Sequence, residues 1–318
     1  MDRRTLLRTG VAALAATAGA TTPGSPASAH QDLIREYVVT REPGASPEGI
    51  EVTRDGTMYV TSVATGAVYR GHVCDRALRP FLAPGADGRT SATGVKLDRR
   101  DRLFVAGAAT GTLFVYDRSG RPLTRRAVDA PASFLNDMAF TSDAVYVTDS
   151  VNQTVWRASL TGDRVGPLTP WLTVDAFDPV PSFLNGIVTS ADGRVLLVAE
   201  QGVDVTYRVD LATRAVRALR IADGRAFSGD GLVLEGRRLY GVWNRLNAAG
   251  EWEFLTRLVE LNRDFTAARV LGDSAAVAGT VGPTTLARDR GRLLWVNSQL
   301  PSGAGTPPYL VTEVPGLR

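Results

Sequence analysis

The stretches "SFLND" (residues 133–137) and "SFLNG" (residues 182–186) repeat four identical residues 49 positions apart, each just before an apolar run. A recurring structural unit explains such identity, and a fixed period is the test for one. The same polar-then-apolar step recurs in "PEGIEVTRDGTMYVTS" (47–62), "ATGVKLDRRDRLFVAG" (92–107), "LNDMAFTSDAVYVTDS" (135–150), "LNGIVTSADGRVLLVAE" (184–200), "GDGLVLEGRRLYGVWN" (229–244) and "PTTLARDRGRLLWVNS" (283–298). Each copy reads as a short strand, a turn and a stronger strand. Asp55-Gly56 and Asp192-Gly193 are hairpin dipeptides. A third strand follows ("GAVYRG", "GTLFVYD", "QTVWRASL", "VTYRVDL"), then a weaker fourth such as "RAVRALRIA".

Position two of each copy gives six anchors: Glu48, Thr93, Asn136, Asn185, Asp230 and Thr284. Four strands in every 40–50 or so residues mark a β-propeller blade, so six copies predict an all-β, six-bladed propeller with four antiparallel strands per blade. The last copy has room for only three strands before Arg318. The strand-like stretch "IREYVVTRE" (34–42) has no blade of its own and is expected to supply the missing outer strand. A ring closed in this way leaves no long exposed sheet edge. The innermost strands would line a central channel, with the anchors converging at one mouth.

The 318 residues, 44% of them hydrophobic, suffice for one large all-β domain. Residues 1–29 read as an export signal and 30–318 as the single propeller domain. Arg3, Arg4 and Arg8 precede the Ala-rich "VAALAATAGA", which is too short to span a bilayer, and Ala27 and Ala29 suit a cleavage site. The Arg3-Arg4 pair before a weakly apolar segment resembles a twin-arginine signal; an ordinary secretory signal starting with two arginines is the alternative. An extracellular, periplasmic or cell-envelope location is therefore expected. No other segment resembles a membrane span. Setting aside Arg3, Arg4, Arg8 and Asp2 lowers the net charge from +3 to +1, and no basic cluster reads as a nucleic-acid surface. Cys74 is the only cysteine, so no internal disulfide forms. A monomer is expected.

All six anchors carry a side-chain oxygen. Hard cations such as Ca²⁺ take six to eight or so oxygen donors, mixing carboxylate, amide and water. Glu48 and Asp230 neutralise a dication, and the amide oxygens of Asn136 and Asn185 complete a four-residue cage. Without thiolate or histidine, zinc and copper match poorly. Asn, Asp and Thr also start strands after turns for local reasons, which accounts for any one anchor but not for six at one spot.

The combination of "PEGIEV", "LNDMAF", "LNGIVTSADGRVLLVAE" and "GDGLVLEGRRLYGV" resembles the senescence-marker-protein/gluconolactonase/luciferin-regenerating-enzyme family and its diisopropylfluorophosphatase and paraoxonase relatives, over nearly all of residues 33–315. The resemblance implies a catalytic divalent cation, usually calcium, held by Glu48, Asn136, Asn185 and Asp230. It also implies hydrolysis of a small lactone or ester, with Asp230 as nucleophile or as general base. Asp137 would orient a ligand from behind, or simply bond backbone amides at the strand start. Sugar-lactonase members often carry Arg two residues before the Asn of the Asn-Asp pair; here that residue is Phe134, and Phe183 matches it in the next copy. Either ring packs between blades, the commoner fate, or faces the pocket, in which case the substrate is more apolar than a sugar acid. His72 lies outside any inner strand and His30 at the cleavage junction, which speaks against a histidine mechanism. Trp243, Asn244, Trp252 and Phe254 are expected in or near a long loop, where the aromatics either wall the pocket or cap a blade. The competing function is a non-catalytic propeller that binds a partner, with calcium structural. A lyase or synthase like the strictosidine-synthase propellers ranks last, for want of this quartet there.

Overall fold

The computed structural model describes residues 33–247, 249–275, 279–300 and 305–317; the expected export signal lies outside them. Six separate sheets follow one another along the chain, each a blade. Their inner strands are Pro47–Val52, Val95–Leu97, Leu135–Phe140, Leu184–Thr189, Leu232–Glu235 and Pro283–Asp289. Four of the second strands, Leu103–Ala106, Ala144–Asp149, Val195–Glu200 and Arg292–Asn297, are buried at every residue. Neighbouring blades cover both of their faces, so these strands read as continuous apolar runs instead of alternating. Six buried apolar clusters fill the six contacts between blades. Among the described residues no helix is long and apolar enough to cross a membrane.

The ring closes as expected, over a shorter span. Glu36–Thr40 pairs antiparallel with Tyr309–Glu313, the third strand of the last blade, with Tyr37 opposite Val311. Buried Arg292 latches the closure: its Nη2 donates to Tyr37 Oη (2.6 Å) and to Asp289 Oδ2 (2.7 Å), and its Nη1 to the Ile34 carbonyl.

Two blades depart from four antiparallel strands. In the third, Arg164–Val165 and Thr169–Leu172 both pair with Thr154–Thr161. The segment "RAVRALRIA" splits. Val216–Ala218 stays in the fourth blade, while Arg220–Ile221 runs parallel to Ala267–Asp273 at the edge of the fifth. Leu219 between them is buried in the core shared by these blades, which ends one strand and carries the chain to its neighbour.

A repeated irregularity sets the anchors apart. In the first, third, fourth and sixth blades the inner strand gains one residue on its partner: Pro47 and Ile50 face Ser62 and Val60, and Leu184 and Ile187 face Glu200 and Val198. In the fifth, Val242 bonds both Asp230 and Gly231. A bulge of this kind re-aims side chains, and it falls on the anchor and the residue after it. That next residue is Gly49, Gly94, Gly186 or Gly231 in four blades. A Cβ at Gly94 would stand 2.6 Å from the Asn136 carbonyl oxygen, and one at Gly186 2.6 Å from that of Asp230. The glycines thus permit blade-to-blade backbone approach around the channel.

Candidate functional site

The repeated Ser-Phe-Leu-Asn has one job per residue. Ser133 Oγ donates to Asp149 Oδ2 (2.7 Å) and the Phe134 N–H to Asp149 Oδ1 (3.0 Å). Leu135 is fully buried, and Asn136 Nδ2 donates to Ser150 Oγ (3.0 Å). In the next blade Glu200 replaces Asp149: the N–H groups of Ser182 and Phe183 donate to its Oε1 (2.8 and 2.5 Å), and Leu184 is buried. Burial pushes the Asp149 carboxyl up, but hydrogen bonds from Phe134, Asn152 and Ser133 outweigh it and hold the group below its usual range. Each buried acid clamps the segment that delivers an asparagine to the mouth.

Asp230 is the hub. Asn185 Nδ2 donates to its Oδ1 (2.8 Å) and Asn244 Nδ2 to its Oδ2 (2.5 Å). Gln201 accepts from Asn185 and donates to Asn244 Oδ1 (2.9 Å), tying the second strands of two blades to the hub. Asn136 bonds within its own blade instead. The threonine anchors serve differently from the other four. Thr93 Oγ1 donates to the Leu135 carbonyl (2.6 Å) and Thr284 Oγ1 to the Glu48 carbonyl (2.7 Å), so both staple their blade to the next. Asn244 and its neighbours are not in a loop: they lie in the nine-residue strand Arg238–Leu246, paired with Trp252–Leu261.

Burial pushes the Asp230 carboxyl up to about 7 against the pull of Asn244 and Asn185. Burial, then the Asp230 and Asp137 charges, drive Glu48 well above the carboxylate range. Asp137 is also raised by burial; its Oδ1 accepts from the Met138 N–H (2.8 Å). At this mouth two buried carboxylate oxygens, Glu48 Oε2 and Asp137 Oδ2, have no hydrogen-bond partner among the described residues. Unpaired buried acceptors of this kind carry a large desolvation cost, which a proton or a bound cation would remove. The donors are oxygens throughout, as calcium requires. Among the described residues no three His, Cys, Asp or Glu side chains form a metal cluster, so a cation here depends on Glu48 and Asp230 together with amide oxygens.

The charge of Lys96 acts on Glu48 and Asp137, and its Nζ lies 3.5 Å from Glu51 Oε2. Burial pulls its pKa down, but the charges of Glu51, Asp137 and Glu48 together push it up, so it stays charged. Burial raises Glu51 more than Lys96 lowers it. Both residues lie three places after an anchor, where the other copies have Ala139, Val188, Val233 and Ala287. Charge in an otherwise apolar register was the signal that could have revealed them. Lys96→Met is expected to destabilise the protein by about 3 kcal/mol at neutral pH, by leaving buried carboxylates uncompensated. The loss should shrink on acidification, because these raised groups then take up protons. Urea unfolding at both pH values checks this.

The raised carboxyls also predict an inverted pH dependence without metal. Between the unfolded pKa, about 4, and about 7, the native Asp230 binds more protons than the unfolded chain, so its contribution to stability falls as pH rises. In chelator the Tm should therefore drop from about pH 5 to about pH 7.5, and calcium should stabilise more at the higher pH. Thermal scans with and without calcium read this directly.

A cavity of about 900 Å³ lies at the other end of the ring, among the hairpin turns of the third and fourth blades. Its charges are largely spent on each other, as in the Arg157–Asp143 pair at 3.0 Å. It holds none of the four quartet residues.

The chain matches no protein-family model and no curated protein sequence. Solved structures do resemble it. Regucalcin from Agrobacterium tumefaciens, described as a calcium-binding protein, is 16% identical, with a TM-score of 0.56 over 89% of this chain and 95% of that one. A luciferin-regenerating enzyme gives 13%, 0.56 and the same coverage. The virginiamycin B lyase of Staphylococcus aureus gives 11% and 0.58 over 89% and 99%. At such identities the likeness is one of fold, shared with enzymes and with a calcium-binding protein, and it includes bearers of the family names that the sequence motifs resemble.

Proposed function

We propose that this chain is an exported hydrolase of a small lactone or ester that depends on a divalent cation, most simply Ca²⁺, held by Glu48, Asn136, Asn185 and Asp230. One observation carries the reading: the partnerless Glu48 Oε2 is buried beside Asp230 and its amide partners, a set of hard oxygens short of a positive charge. When bound, such a cation polarises a carbonyl and stabilises the negative charge that develops on its oxygen. Asn185 and Asn244 fix the Asp230 carboxylate by both oxygens, so its orientation is set before substrate arrives. Asp230 then acts on the substrate as base toward water or as nucleophile, and both roles need it ionised. Lys96 keeps Asp137 and Glu51 from adding further uncompensated charge. The seclusion of these acids under the mouth strengthens every electrostatic contact there.

The test is a panel of lactones, aryl esters and phosphotriesters, assayed with and without chelator. Turnover of at least one lactone or ester, lost in chelator and restored by calcium, is expected. No turnover across the panel would leave a binding propeller with a structural cation.

A further inference from the structure

Ten large apolar side chains stand exposed among the described residues, and seven of them sit at the mouth end of the ring. Val151, Val203, Leu246 and Leu300 end second strands or lie in the loops that follow them; Val180 and Phe183 precede an inner strand; Trp252 begins a third strand. All of these positions share the end at which the anchors lie, because Leu184 pairs with Glu200 and Leu135 with Asp149.

Two of these groups flank Asp230, and strand geometry directs one of them toward it. Phe183, 40% exposed, stands two residues before Asn185 at the same mouth, just ahead of the strand that begins at buried Leu184. Its backbone continues the ladder, since the Gln201 N–H donates to the Phe183 carbonyl (3.1 Å), and Glu200 clamps its N–H. The second group is the fifth-blade hairpin. Asn244 pairs with Phe254 and Leu246 with Trp252. On a strand, residues two apart share a face, and directly opposed residues lie on one face, so Leu246, Trp252 and Phe254 share the face of Asn244, the residue that bonds Asp230. Trp252 and Phe254 stack at 5.8 Å between ring centroids, 15° from parallel. The strand runs four residues past Val242, which is level with Asp230. An aromatic and aliphatic wall thus rises beyond the carboxylate in the fifth blade, with a clamped phenylalanine at the same mouth in the fourth.

We infer that this site takes lactones or esters bearing an apolar alkyl or aryl substituent, which lies against Phe183, Trp252, Phe254 and Leu246 while the carbonyl reaches Asp230. The inference rests on the hydrolase reading and adds the substrate class. A sugar acid would leave its hydroxyls unpaired against these groups, at a heavy cost in selectivity.

The experiment compares γ-lactones of increasing alkyl length, and γ-lactams of the same lengths as non-hydrolysed ligands, on the wild type, Phe183→Ser and Trp252→Ser. In the wild type, kcat/KM and lactam affinity should rise about two- to fourfold per methylene until the wall is covered. In the variants the ratio of long-chain to short-chain values should fall about tenfold, with calcium affinity retained as evidence of folding. Lactam affinities separate the two readings: absent turnover with chain-length-dependent lactam binding sinks the hydrolase but keeps the wall. Length-independent values in the wild type, or an unchanged slope in both variants, overturn the inference. So does an unchanged slope accompanied by lost adsorption to phosphatidylcholine vesicles, which would make the rim a lipid-docking surface.

Discussion

Asp230→Asn is expected to lower kcat about a hundredfold to ten-thousandfold while the protein still takes up calcium. The substitution keeps a carbonyl oxygen and the residue's volume but removes the carboxylate. It also presents an NH2 group to one of two donors, since Asn185 and Asn244 each give an amide hydrogen to an Asp230 oxygen. One of those amides must turn over, so calcium affinity should fall as well, though less than in Asp230→Ala. The two effects separate when kcat and bound calcium are measured on the same sample. Full activity in a calcium-loaded Asp230→Asn protein would remove Asp230 from the chemistry and leave it a ligand.

Gly186→Ala should cost about 3 kcal/mol of stability, a large value for a single methyl group. The added carbon would lie 2.6 Å from the Asp230 carbonyl oxygen and 3.1 Å from the Leu232 nitrogen, both backbone, and backbone around a closed ring has little room to give. The same displacement moves Asp230, so calcium affinity should fall in parallel. Gly193→Ala is the comparison. Its φ of +68° strains an alanine, but nothing lies within 4 Å of the new carbon, and a loss of about 1 kcal/mol is expected. Urea unfolding of the two variants measures the difference; equal losses would mean that blade-to-blade approach at Gly186 is not tight.

The period of the anchors was enough to predict six blades and the closing strand, because one short step recurs at near-constant spacing. The twice-written Ser-Phe-Leu-Asn was legible as a repeat, but its division of labour was not. The acids that clamp it, Asp149 and Glu200, lie one strand later and differ in length. Thr93 and Thr284 looked equivalent to the other anchors because all six carry oxygen. Only the fold shows that each hydroxyl sits within reach of a carbonyl of the next blade, which consumes it. Asn244 was misplaced in a loop for a related reason. In "WNRLN" the polar residues hide a strand whose one face, Trp243 and Arg245, is held by a guanidinium 3.5 Å above the indole, while the other carries Asn244 to Asp230. Alternation of apolar and polar residues was absent because both faces are mixed. Lys96 and Glu51 went unseen because a charge inside an inner strand reads as solvent-facing until the ring closes around it.

Calcium titrated calorimetrically into protein stripped with chelator tests the proposed metal centre most directly. The prediction is a tight site whose affinity falls severely in Asp230→Ala and Glu48→Ala and also falls in Asn136→Ala and Asn185→Ala. No binding by the wild type, or binding unaffected by all four substitutions, would contradict it.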